Sequence, residues 1–155
     1  MANFQPLWAC NDPVIPDQTM AMIGMERAPW TYATRSILDL GAPFCINSDW
    51  PVTTLNPFEI ISTAVTREPP RRRGRSEPFF AEEAMTVEEA VAGYTIHTAA
   101  ACWRSDFTGQ LRPGFSADAI ILDRDIFACD RHAIAETEVL ATLFKGRFVH
   151  SAAPF

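Results

Sequence analysis

The chain has 155 residues, enough for one globular core, and its 48% apolar and 21% charged composition excludes a disordered polymer. A formal net charge of -6 denies it the positive field that nonspecific nucleic-acid binding requires. Nothing approaches a membrane-spanning length, the N-terminus has no secretion-signal pattern, and the four cysteines form no C-x-x-C pair, so a soluble, cytoplasmic protein with reduced thiols is expected.

"ANFQPLW" opens as a short strand stopped by Pro6, and "ACNDPVIPD" is a proline-rich loop. A broken helical segment is predicted around Gln18 to Met25. The stretch "APWTYATRSILDLG" predicts a helix. Pro29 lies in its first turn, Tyr32, Ile37 and Leu40 supply its apolar face, and Gly41 closes its end. "APFCI" then reads as a strand buried on both faces, as in a parallel sheet. Strand, helix and strand at this spacing make one βαβ unit.

Asn56 and Pro57 are the N-cap and first position of a helix running to about Thr66. A polar loop bounded by prolines follows, carrying the run Arg71-Arg72-Arg73-Gly74-Arg75. In a chain of net negative charge this run reads as a solvated loop, with phosphate or acidic-partner binding as the alternative. Thr86 and Glu89 form a capping box that launches one helix through "EEAVAGYTIHTAAACW". Beyond the turn at Pro113-Gly114, a strand is predicted over Ala119 to Leu122, with Asp118 as a structural residue at its start. A hairpin is predicted around Lys145-Gly146. The first half is parallel α/β in character and the tail antiparallel, and neither set of strands closes on itself. Such open edges favour association.

Three stretches taken together resemble the C-terminal part of the amidohydrolase superfamily, in its YtcJ-like, amidohydrolase-3 branch. "INSDWPVTTLNPFEIISTAVTR" is similar to the last barrel strand with its loop and helix, and "MTVEEAVAGYTIHTAAA" to the helix that follows. "GQLRPGFSADAIILDRDIF" resembles the return from the barrel into a small flanking β-sandwich. Upstream, "NFQPLW" and "YATRSILDLGAPF" resemble the seventh strand and its helix.

The resemblance implies an α/β fold: the last two strands and helices of a (β/α)8 barrel in residues 1–108, then sandwich strands in 109–155. It implies a metal-dependent hydrolase of amide or cyclic-amide C–N bonds acting on small molecules, with its site at the C-terminal ends of the strands. The family's divalent ion, often zinc, is held by an H-x-H pair, a mid-barrel lysine or glutamate, two later histidines and an aspartate ending the last strand. Asp49 matches that aspartate, and a carboxylate there touches the metal and shuttles a proton to the departing nitrogen.

The chain contains no H-x-H pair, and Asn47 stands where the family usually has glycine before Ser-Asp. His97, His132 and His150 match no ligand spacing, and His97 stands where the family more often has asparagine. Several readings stay open. Asp49 is the catalytic and metal-side carboxylate, or a turn-capping aspartate. Trp50 lines a substrate pocket or packs. Arg35 meets a substrate carboxylate or forms an ion pair. The chain as a whole reads as the C-terminal segment of such an enzyme, inactive alone. Alternatively, it is one half of a split hydrolase completed by an N-terminal partner chain, or a non-enzymatic α+β module that homo-oligomerises.

Overall fold

The computed structural model describes residues 1–12, 15–72 and 74–152. Strand β1 (Ala2–Phe4) pairs in parallel with β2 (Phe44–Ile46), with Asn3 opposite Cys45. Between them lie a π-helical turn at Ile15–Met20 and the helices α1 (Ala21–Ile23) and α2 (Thr34–Asp39). All three residues of β2 are buried, as expected for a parallel strand covered on both faces.

The predicted helix over residues 28–41 is broken. A 3-10 turn at Ala28–Trp30 ends at Thr31, Tyr32 takes the left-handed conformation (φ 57°), and α2 starts only at Thr34. The cause lies 35 residues away. The Arg67 guanidinium is buried, its Nε donates to the Phe79 carbonyl at 2.8 Å, and a second nitrogen donates to the Tyr32 carbonyl at 3.2 Å. The same carbonyl accepts the Thr34 amide at 2.8 Å, and the Ser36 amide that a continuous helix would direct to it donates to Glu83 at 3.0 Å instead. The break also turns the helix, so Leu38 packs on the core while Leu40 is 85% exposed, a correction to the expected apolar face. Gly41 does close α2, donating to the Leu38 carbonyl at 2.8 Å.

Helix α3 (Pro57–Thr66) is capped by the Asn56 side chain, which accepts from the Phe58 amide at 3.0 Å. Ile60, Ile61, Ala64 and Val65 place it at the centre of the core. The Thr86–Glu89 capping box is formed and starts α4 (Val87–Tyr94). The single helix predicted beyond it is two helices. The backbone kinks at Thr95 (φ −112°, ψ −90°) before α5 (Ile96–Ala101). Thr98 Oγ1 donates to the Gly93 carbonyl at 2.6 Å, and Gly109 presses so close that a Cβ there would lie 3.1 Å from the Thr95 carbonyl. The Thr98 hydroxyl bond draws the Gly93 carbonyl away from a straight helix.

The tail forms an antiparallel sheet in the order β3 (Ala119–Leu122), β4 (Val139–Phe144), β5 (Arg147–Ser151). Lys145 and Gly146 have positive φ of 50° and 75°, the two-residue hairpin turn that fits strand twist. Ile126 and Ile134, on either side of β4's approach, join the same core as Phe44 and Ile60, so the tail sheet and the α/β half share one interior. β5 is exposed along its whole length.

Candidate functional site

Asp49 follows β2 by three residues, and its position is fixed by the ends of both parallel strands. Asn47 donates its backbone amide to the Phe4 carbonyl at 3.0 Å and its side-chain amide to Asn3 Oδ1 at 2.6 Å. The Cys45 thiol donates to the same Asn3 oxygen at 3.3 Å. Asn47 Oδ1 then accepts the Asp49 amide at 2.8 Å, so one asparagine joins β1, β2 and the aspartate. A glycine at position 47 has no side chain to do this.

Asp49 itself has φ 57°, a conformation that Asp tolerates better than most residues. Its carbonyl accepts the Val52 amide at 2.8 Å, and the Trp50–Pro51 bond is cis. Ser48 Oγ accepts the Trp50 amide at 3.2 Å, and Thr53 Oγ1 donates to the Ser48 carbonyl. The backbone is therefore tied on both sides of the aspartate. Its half-buried carboxylate has no hydrogen-bond or ion-pair partner among the described residues. Trp50 beside it is 61% exposed.

Arg35 is engaged by carboxylates. Its guanidinium donates to Glu89 on α4 and to Asp39 at 3.2 Å, and the Glu89 bond foremost raises its pKa. The histidines are dispersed. His97 stands edge-on to Phe44, with ring centres 4.5 Å apart, His132 lies between Glu68 and Asp130, and His150 Nε2 donates to the Val139 carbonyl at 3.3 Å. Among the described residues no three His, Cys, Asp or Glu side chains come together as metal ligands. A zinc site of this kind needs at least three protein ligands. Asp49 alone does not fit a complete metal centre. Of the arginine run, Arg73 and the Arg71 side chain lie outside the described residues.

Two residues of consequence escaped sequence reasoning. Asn47 is visible in the sequence as a replacement for glycine, but its bridging role needs the strand pairing. Arg67, buried over the Phe79 ring at 5.3 Å with its pKa lowered to about 10 by burial, gives no local signal because its partners lie at positions 32 and 79.

The sequence model of the amidohydrolase family matches residues 2–150. The chain belongs to this family. It is 36% identical over 115 residues to the N-substituted formamide deformylase of Arthrobacter pascens, covering 74% of this chain and 20% of that protein. It is 26% identical over 150 residues to the putative amidohydrolase YtcJ of Bacillus subtilis, covering 96% of this chain and 27% of YtcJ. Among solved structures, an uncharacterized metal-dependent hydrolase from Pyrococcus horikoshii superposes with a TM-score of 0.67 at 27% identity. That match covers 83% of this chain and 25% of the hydrolase. The amidohydrolase chain thus spans between a fifth and about a quarter of the relatives it matches. No helix among its described residues is long and apolar enough to cross a membrane.

Proposed function

We propose that this chain is one wall of a metal-dependent amidohydrolase that cleaves C–N bonds of small amides or cyclic amides. Residues 1–108 are, in this reading, the last two strand–helix units of a (β/α)8 barrel, and 109–155 are strands of its flanking sandwich. The observation that carries the reading is the Asp49 segment: a carboxylate without a partner among the described residues, just beyond the C-terminal end of a buried parallel strand, on backbone tied through Asn47 to both strands. In such barrels that end of the strands carries the site.

The divalent ion, zinc by family resemblance, would take Asp49 from this chain and its remaining ligands from outside it. What this chain supplies is a carboxylate that accepts a proton from water and returns it to the departing nitrogen. Trp50 forms part of the substrate wall. Arg35 meets a substrate carboxylate only by exchanging Glu89 or Asp39 for it. Alone, the chain is inactive.

Completion requires further polypeptide that brings the missing ligands, such as an N-terminal partner chain. Support comes from an open groove of about 1080 Å³ between α3, α4 and the tail sheet. Its walls include Phe58, Ile61, Val91, Ile120, Leu122 and Leu143. Apolar surface of this kind in a water-soluble chain asks for a cover. The position of β3 and β5 at the two edges of the tail sheet also favours a second reading, a non-enzymatic module that self-associates. The setting proposed for either is the cytoplasm.

The test grafts this chain in place of the matching fifth of the Arthrobacter pascens deformylase. The folded chimera is expected to deformylate, and Asp49→Asn to reduce kcat by about 10²-fold or more. A folded, active chimera indifferent to Asp49→Asn overturns the assignment. Sedimentation of the chain alone separates the second reading, which requires a stable homo-oligomer.

A further inference from the structure

We propose that Glu68, His132 and Asp130 form a pH-dependent latch that clamps the arginine-rich loop after α3 to the segment leading into β4. His132 Nε2 lies 3.0 Å from Glu68 Oε1, and Nδ1 lies 3.2 Å from Asp130 Oδ1. Carboxylate oxygens only accept, so both ring nitrogens must donate, and an imidazole with two N–H groups is a cation. The two-sided bridge therefore forms with the protonated ring.

Both carboxylates are held in place. The Glu68 side chain is 8% exposed, and its second oxygen accepts the Gly74 amide from the far end of the arginine loop. Gly74 lies against the ring, where a Cβ would come within 3.9 Å of it. Asp130 Oδ1 also accepts the His132 amide at 2.8 Å. On the other flank, Ser62 of α3 donates to the Arg131 carbonyl at 3.0 Å, so α3 and the 130–136 segment are already in register when the ring bridges them.

Among the described residues, two carboxylates act on the ring. From the α3 side it is Glu68, from its own segment Asp130, and the loop presents the neutral backbone of Gly74. Arg124, beside this segment, is taken by Asp123 and the Ala133 carbonyl. Of the loop's described side chains, Arg72 and Arg75 make no hydrogen bond to the ring. The bond to Glu68 accordingly raises the His132 pKa above its ordinary 6.5, against partial burial.

The sign follows from the raised value. The latch contributes fully below pH 6.5 and is lost as pH rises through the folded pKa. Above it, one nitrogen turns a lone pair on a carboxylate, and Glu68 loses the partner that keeps it aligned on Gly74. The loop then opens at Gly74 first.

The experiment is a pH titration of the whole chain by NMR. It follows the His132 Cε1–H shift and the Gly74 amide protection factor, the exchange rate relative to the unstructured rate at each pH. The expected His132 midpoint lies above 6.5. Gly74 protection falls with the same midpoint, by about tenfold for each pH unit that the midpoint exceeds 6.5. Glu68→Gln moves the midpoint back toward 6.5 and removes the pH dependence at Gly74. A midpoint at or below 6.5 overturns the latch, and so does Gly74 protection indifferent to His132 titration. The wild-type titration decides the matter even where the variant fails to fold.

Discussion

Gly93 is where α4 rests on β2, the strand that delivers Asp49. A Cβ added there would lie 2.7 Å from Ile46 Cδ1, 2.8 Å from Ile46 Cγ1 and 3.1 Å from Phe44 Cε2. Ile46 is 2% exposed and Phe44 7%, so neither side chain has free space to retreat into. Gly93→Ala therefore sets two effects against each other. Forcing one methyl into a filled core costs about 1–3 kcal/mol. Replacing glycine inside a helix returns about 1 kcal/mol. With two contacts below 3.0 Å the cost falls in the upper part of its range, and a net loss of about 1–2 kcal/mol is expected. Urea unfolding with a slope of about 2 kcal/mol/M would then show its midpoint lowered by about 0.5–1 M. Ile46→Val removes the closest atom, so the double variant should recover part of the loss, a coupling of about 0.5–1.5 kcal/mol. A Gly93→Ala protein more stable than the parent refutes the reasoning, because it would mean that α4 does not sit this close to β2.

Thr86→Ala should cost about 1 kcal/mol in the same unfolding assay by opening the capping box, while Thr86→Ser stays close to the parent. Burial pushes the Glu89 carboxyl up, but the Arg35 bond and the Thr86 amide outweigh it and hold the carboxyl below its ordinary 4.5. Its contribution to stability is present above pH 4.5 and lost as pH falls through the lowered value, a step that urea midpoints measured across that range should show and Glu89→Gln should flatten. Both tyrosines of the chain, Tyr32 and Tyr94, are held above the ordinary 10.0, chiefly by burial. Near-ultraviolet titration should find the phenols less than half ionised at pH 10 in the folded chain, and ordinary half-ionisation there would contradict the packing.

What the sequence disclosed was governed by locality. Asn56-Pro57, the Thr86–Glu89 box and the Lys145-Gly146 turn each depend on atoms within a few residues, and each forms as read. The helix breaks at Tyr32, where Arg67 reaches the carbonyl and Glu83 takes the Ser36 amide, and no periodicity in the local sequence encodes either partner. The Glu68–His132 bridge spans 64 residues and was equally invisible, since spacing rules address ligands on one element or loop. For the candidate site, the family motif pointed to Asp49, but not to the left-handed turn or the Asn3–Asn47 bridge that aims it.

The central claim is that Asp49 is one contributor to a site whose remaining ligands come from elsewhere. The most direct measurement is metal content per chain, on protein purified without chelator and dialysed against trace zinc or manganese. The account predicts far less than one ion per chain, unchanged by Asp49→Ala. One ion per chain, lost in Asp49→Ala, would mean that this chain assembles a complete metal site from its own residues, and the account would be wrong.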